Sequence, residues 1–240
     1  MPVPTAAHAA DTTVLPVKGI AVVAFDVGET LIDETGIWSR WADRLGVTRL
    51  TMLGVLGAMA ALDRPHRDAF ELVSPGLDVD DEMARWREDD PTGKRVNFDA
   101  DDLYADVRPC FAGLHRAGMR VIIAGNQPPQ ARAALEAMHL GADAILISDE
   151  LGIEKPSPAF FQAVADAAGV APWEIAYVGD RIDNDVLPAR EAGMRTVLLR
   201  RGPWGYLHAA RPAAALADIV ADSLAELPDH IAVLSRRAVG

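Results

Sequence analysis

The chain predicts an α/β protein, a Rossmann-like open parallel sheet core with an inserted all-helical cap domain. Three observations predict it. Five short apolar runs bounded by turn formers read as strands buried on both faces, and amphipathic stripes separate the later ones. Strand and helix alternate from residue 104 onward, the pattern of right-handed βαβ units. Roughly 90 residues separate the first and second runs, helical in character from Thr35 to Asp90, which is too long for a crossover loop.

Taken in order, residues 1–18 (MPVPTAAHAADTTVLPVK) are rich in Ala, Pro and Thr without periodicity and read as a loose leader. The first strand, Ile20–Phe25, stops on Asp26. From Thr35 to Asp90 the apolar residues fall at helical spacing (Trp38, Trp41, Leu45; Leu53, Leu56, Met59, Ala60). Residues 35–98 are therefore expected to form a helical cap that leaves through the polar stretch EDDPTGKRVNFDADD, with residues 19–34 and 99–240 forming the core. The second strand is Met119–Ala124, followed by a helix with Ala131, Ala134, Leu135 and Met138 on one face. The third is Ala144–Ile147; Ser157-Pro158 then opens a helix that carries Phe161, Val164, Ala165 and Ala168 and stops at Gly169. Ile175–Val178 is the fourth strand, Asp183 the expected N-cap of a helix reaching Gly193, and Thr196–Leu199 the fifth strand. Leu216, Ile219, Val220, Leu224 and Leu227 mark an expected last helix.

The 240 residues are half hydrophobic, but the apolar residues are dispersed. No run approaches the roughly 20 that a membrane span needs, and the start lacks a basic-then-apolar signal, so a cytoplasmic protein without membrane contact is expected. A net charge of −12 argues against nucleic acid, because doublets such as Arg200–Arg201 and Arg236–Arg237 make no basic patch. Cys110 is the single cysteine, which rules out an internal disulfide and suggests a buried, inert thiol. The six histidines have no ligand spacing. Nothing distinguishes a monomer from a homodimer.

Ligands of such sheets bind beyond the carboxyl ends of the strands. That rule gathers Asp26, Gly125-Asn126-Gln127, Ser148, Asp149 and Gly179-Asp180, with Lys155 close behind the third strand. Carboxylates, a lysine and loop amides in one crevice suit a phosphate and a hard divalent cation.

These residues resemble the haloacid dehalogenase-like superfamily from Ile20 to about Tyr206. Asp26-Val27-Gly28-Glu29-Thr30 stands where the family has Asp-x-Asp-x-Thr, Lys155-Pro156 matches its lysine motif, and Gly179-Asp180-Arg181-Ile182-Asp183-Asn184-Asp185 its acidic motif. The insertion after the first motif fits the helical-cap subgroup. The resemblance implies a magnesium-dependent phosphatase of a small phosphorylated metabolite. Asp26 is then the nucleophile that forms an aspartyl-phosphate, and Lys155 orients it and neutralises charge. Mg²⁺ is held by Asp26, the backbone carbonyl of Gly28, Asp180 and Asp185, and the phosphate by Gly125, Asn126 and Lys155.

Two positions depart from the family. Gly28 replaces the second Asp, the usual acid and base, and Gly125 replaces a Ser or Thr whose hydroxyl meets the phosphate. A lost general acid costs about 10²- to 10⁴-fold, so good leaving groups should be favoured and Gly28→Asp should raise turnover of alkyl esters. Glu29 should point to the other side; Glu34 or His66 from the cap could supply the proton. Trp38, Trp41 and Trp86 read as cap core, with a substrate-facing role for one of them the alternative, and Arg200, Arg201 and GPWGY as a surface loop, with a place on the pocket rim the alternative. Alternatives are a carbon–halogen hydrolase, which needs no acid for its halide, and a non-catalytic phosphate and magnesium binder.

Overall fold

The computed structural model describes residues 19–89 and 97–237; the expected leader and part of the cap's polar exit lie outside them. Six strands form one parallel sheet: β1 (Val22–Phe25), β2 (Arg120–Gly125), β3 (Ala144–Ile147), β4 (Ile175–Gly179), β5 (Arg195–Leu199) and β6 (Ile219–Ala221), in the order β3-β2-β1-β4-β5-β6. β1 is central because all four of its residues are apolar and fully buried, which only a strand covered on both faces satisfies.

The helices are α1 (Thr35–Leu45), α2 (Arg49–Ala61), α3 (Asp68–Val73), α4 (Val79–Asp89), α5 (Val107–Arg116), α6 (Gln130–Ala137), α7 (Ser148–Leu151), α8 (Pro158–Ala168), α9 (Leu187–Glu191), α10 (Gly202–Ala209) and α11 (Leu227–Arg237). Packed on one face of the sheet, α8 brings Phe160, Phe161, Val164 and Ala168 against Val22, Ala24 and Tyr177. The opposite face is covered by a cluster that includes Phe111, Leu114, Leu135, Leu224 and Ile231.

Helices α1 to α4 are inserted between β1 and β2 and share a separate apolar cluster. Trp41 is its centre, with ring centroids 4.7 Å from both Phe70 and Trp86. α2 starts on Thr48, whose hydroxyl accepts the Thr51 N–H at 3.1 Å, and α1 ends on Gly46 at φ +70°. Trp204 of α10 also joins this cluster, so a residue of the sheet domain completes the apolar core of the insertion.

The stretch from Leu216 to Leu227 corrects the expected last helix. A 3₁₀ turn, Pro212–Leu216, leads into the sixth strand, and the helix begins only at Leu227. Asp218 anchors the strand by accepting the Thr196 N–H at 2.9 Å and pairing with Arg195 at 3.1 Å. The helical spacing was a coincidence: Leu224 and Leu227 are buried, whereas Val220 on the open edge is 46% exposed. The helix expected from Asp183 instead begins with a π-turn, Ile182–Val186, entered from Arg181, so Asp183 is not its N-cap.

Candidate active site

Because β1 and β4 are parallel neighbours with Phe25 opposite Val178, the residues that follow them emerge side by side. Asp26 is tied there by its N–H, which donates to Val178 O at 2.9 Å. Asp180 directly follows β4 and lies beside Asp26. The π-turn folds Asp185 back over the strand end, where the Arg181 N–H donates to its Oδ2 at 3.0 Å. Only glycine allows this: a Cβ on Gly179 would lie 2.3 Å from the Asp185 carboxyl. The result is a trio of buried carboxylates, Asp26, Asp180 and Asp185, each with an oxygen within 4.8 Å of the others. Such π-turns are frequent at functional sites.

Lys155 reaches the trio from the loop after β3. Its Nζ lies 2.5 Å from Asp26 Oδ1 and 2.5 Å from Asp185 Oδ1, and the residue is 3% exposed. Beneath it, 5.6 Å from Nζ, is the ring of Tyr177, whose hydroxyl donates to Ala124 O at 2.7 Å. The Asn126 carboxamide holds the lysine loop, with Oδ1 accepting the Lys155 N–H at 2.7 Å and Nδ2 donating to Lys155 O at 2.9 Å. Its expected place at the phosphate thus becomes first a bracing one, with one amide N–H still available. Gly125 leaves the Asp26 carboxyl uncovered, since a Cβ there would meet Asp26 Oδ1 at 2.8 Å.

The electrostatics are those of a site short of positive charge. Burial opposes the charge on Lys155, but Asp185 and Asp26 outweigh it and hold the ammonium well above its ordinary range. Burial raises Asp180 well above the carboxylate range, with Asp185 and Asp26 adding to it. Asp185 is pushed up to about 6, by burial first and by Asp26, against the pull of Lys155. Three carboxylates against one ammonium leave a buried negative excess of the kind a divalent cation relieves, and three hard oxygens suit one. The donor set therefore fits the expected metal.

Around Gly28 the structure brings in the carboxyl of Glu34, one of the two cap residues named as candidates for the missing acid. A Cβ on Gly28 would lie 2.3 Å from Oε1 and 2.9 Å from Cδ of Glu34. The Glu34 carboxyl fills the space where a side chain at residue 28 would begin. Trp38 steadies it by donating its indole N–H to Oε2 at 3.2 Å, and burial, then Glu29, push the Glu34 carboxyl up to about 8. Glu29, in the left-handed region at φ +50°, turns aside: its Oε1 accepts the Glu34 N–H at 3.0 Å and its Oε2 the Tyr104 hydroxyl at 2.6 Å. His66 stands exposed on the cap, edge-on to Trp38. The glycine at the family's acid position was the signal that a side chain from elsewhere occupies that space.

Several expected residues lie apart. Ser148 accepts the Gln127 N–H at 3.1 Å and ties the β2 and β3 loops, while Asp149 faces outward. GPWGY is not a surface loop but the start of α10, with Trp204 buried. Arg201 is buried too; it donates to Thr30 O at 3.0 Å, pairs with Asp106 and stacks on Tyr104 at 4.1 Å. Cys110 is buried as expected, its thiol pushed up to about 12 by burial and Asp106. Among the described residues no helix is long and apolar enough to cross a membrane.

The comparisons with known proteins agree with this geometry. A glyceraldehyde 3-phosphate phosphatase of Methanopyrus kandleri is 38% identical over 42% of this chain and 45% of its own length. A phosphoglycolate phosphatase of Vibrio vulnificus is 30% identical over 89% of this chain and 97% of its own. In fold, the L-2-haloacid dehalogenase of Xanthobacter autotrophicus superposes with a TM-score of 0.62 at 21% identity, covering 89% of this chain and 98% of that one. The haloacid dehalogenase-like hydrolase family matches residues 20–193, a span that holds Asp26, Lys155, Asp180 and Asp185. By that match and by the strand-end geometry, the chain belongs to the haloacid dehalogenase-like hydrolases.

Proposed function

We propose that the protein is a magnesium-dependent phosphatase that removes phosphate from a small phosphorylated metabolite through an aspartyl-phosphate on Asp26. The observation that carries this reading is the buried trio Asp26, Asp180 and Asp185, with Lys155 bridging two of its members. The phosphatase names of the Methanopyrus and Vibrio relatives support it. A carboxylate that displaces halide from carbon has no need of two further buried carboxylates, which weighs against the dehalogenase alternative.

Asp26, Asp180 and Asp185 would hold Mg²⁺, with the Gly28 carbonyl as a further oxygen. Bound there, the ion offsets the charge that would otherwise repel a carboxylate from a phosphate. The chain's own groups do the rest. Lys155 fixes the rotation of Asp26 by holding one of its oxygens, and its ammonium balances charge that builds on the phosphoryl group. Asp26 forms the new O–P bond as the bond from phosphorus to the leaving oxygen breaks. That oxygen takes a proton from Glu34, which stands in the place of a residue-28 side chain. Water then attacks the aspartyl-phosphate, giving its proton to the Glu34 carboxylate, and phosphate departs with Asp26 restored.

The test is hydrolysis of p-nitrophenyl phosphate by the purified full chain. Magnesium-dependent release of nitrophenol that EDTA abolishes is the expected result. Failure of every phosphate ester under magnesium saturation, in folded protein, overturns the reading.

A further inference from the structure

A cavity of about 270 Å³ opens beside the loop from Gly28 to Glu34, between that loop, α1, α2 and α10. Its wall combines Trp38, Tyr104 and Trp204 with Glu29, Asp33 and Glu34, and among the described residues no lysine or arginine lines it. We propose that this cavity receives the leaving group of the substrate and selects one bearing an ammonium, so that the enzyme acts on phosphate esters of small amino alcohols. The inference rests on the phosphatase reading and adds a substrate class to it.

Position comes first. Glu34 reaches both sides: one oxygen fills the residue-28 position two places after the nucleophile, and the residue also lines the cavity. A group leaving phosphorus past Glu34 therefore enters this space, which is large enough for a few heavy atoms.

The chemistry of the wall then discriminates. Aromatic faces attract a cation through their ring quadrupole, most strongly where water is excluded. Glu29 and Asp33 add negative charge on the same wall, and a carboxylate-bearing leaving group would be repelled in a medium of low dielectric. Two of the wall's rings already carry an arginine, which leaves Trp38 as the wall ring with no cation stacked on it among the described residues. Arg201 stacks on Tyr104 and pairs with Asp106, while Arg181 stacks on Trp204 at 5.1 Å and pairs with Asp183 at 2.6 Å. Trp204 supplies a separate sign of a missing partner: 7% exposed and part of the wall, its indole N–H has no acceptor among the described residues. A buried donor left unmade is costly, and the alcohol oxygen of the leaving group, rather than its ammonium, would satisfy it.

The experiment measures kcat/KM with magnesium for 2-aminoethyl phosphate, propyl phosphate and carboxymethyl phosphate, which share a similar size and differ in charge. The expected order is amino over propyl over carboxymethyl, with the first step about tenfold, the worth of one well-desolvated cation–π contact. Glu29→Gln and Trp38→Leu should each narrow that step, mainly through KM. Equal use of the amino and propyl esters, or preference for the carboxymethyl ester, overturns the inference. p-Nitrophenyl phosphate run in parallel separates the two readings, because its hydrolysis without amine preference removes the inference and leaves the phosphatase standing. A second readout needs no turnover: tetramethylammonium chloride should quench the tryptophan fluorescence saturably in the unmodified protein and less in Trp38→Leu, where sodium chloride at equal ionic strength does not. Absence of that difference also overturns the inference.

Discussion

The two ends of the candidate site are built in different ways. At the proposed phosphate end, Asp26, Asp180 and Asp185 come from strand ends and the turn just beyond one of them and Lys155 from the loop after α7; all four are buried, and Lys155 locks Asp26 to Asp185. At the leaving-group end, Glu29, Glu34 and Trp38 come from a turn and the first helix of the insertion, and they hold one another through single hydrogen bonds. A rigid sheet positions groups precisely for chemistry that does not vary. A turn and an inserted helix can change shape without disturbing the sheet, which is where substrate choice is free to differ.

The largest test of the contrast lies at the phosphate end. Asp26→Asn should lower kcat for p-nitrophenyl phosphate by about 10⁴-fold or more, as loss of a nucleophile does, with the melting transition still cooperative. Near-normal turnover in this variant would place the chemistry elsewhere.

Next comes the leaving-group end. Glu34→Gln should slow alkyl phosphates by about 10²- to 10⁴-fold and p-nitrophenyl phosphate far less, since nitrophenolate departs without a proton. Steady-state kinetics on both esters checks this. Gly28→Asp, expected from the sequence to raise alkyl turnover, must first displace the Glu34 carboxyl, which its Cβ would meet at 2.3 Å, so its gain should be smaller than in a chain that also carries Glu34→Gln.

A smaller effect is expected where backbone supports the trio. Gly179→Ala forces Asp185 to move and should weaken Mg²⁺ binding by about 10- to 100-fold, read by calorimetric titration. Affinity equal to that of the unmodified chain would mean that Asp185 is not needed for the ion.

The smallest is a pH effect. Asp185 sits at about 6 and Asp180 is also raised, so protons compete with the metal as pH falls. Magnesium should raise the melting temperature at pH 7.5, and the gain should fade as pH drops through 6. Without metal the sign reverses for Asp185. Its folded value lies above its unfolded one, so the stability it contributes is present at low pH and lost as pH rises toward 6. Differential scanning fluorimetry with and without magnesium resolves both.

What the sequence revealed divides along the same line. The central strands were legible because Val22–Phe25 and Ile175–Val178 are continuous apolar runs, and a sheet end then dictates where Asp26 and Asp180 stand. The sixth strand was hidden because an edge strand of three residues, Ile219–Ala221, lies among leucines that happen to fall at helical spacing. Glu34 could be named and not placed, since its position depends on Glu29 at φ +50° and on the indole of Trp38, neither of which spacing records. The arrangement around Arg201 and Trp204 was equally hidden, because it requires α10 to meet both the first loop and the inserted helices.

The exclusion between residue 28 and Glu34 bears on how such a site can change over time. A carboxyl at residue 28 and that of Glu34 share the volume only if Glu34 swings aside and gives up its bond to Trp38; on the proposed roles, adding Asp at 28 first displaces Glu34, and removing Glu34 first takes away the proposed proton donor. The two replacements together should be milder than their separate effects predict. Residue 28 and a neighbour six positions away are thereby coupled, so a change at either is best tolerated with a change at the other, whatever the substrate.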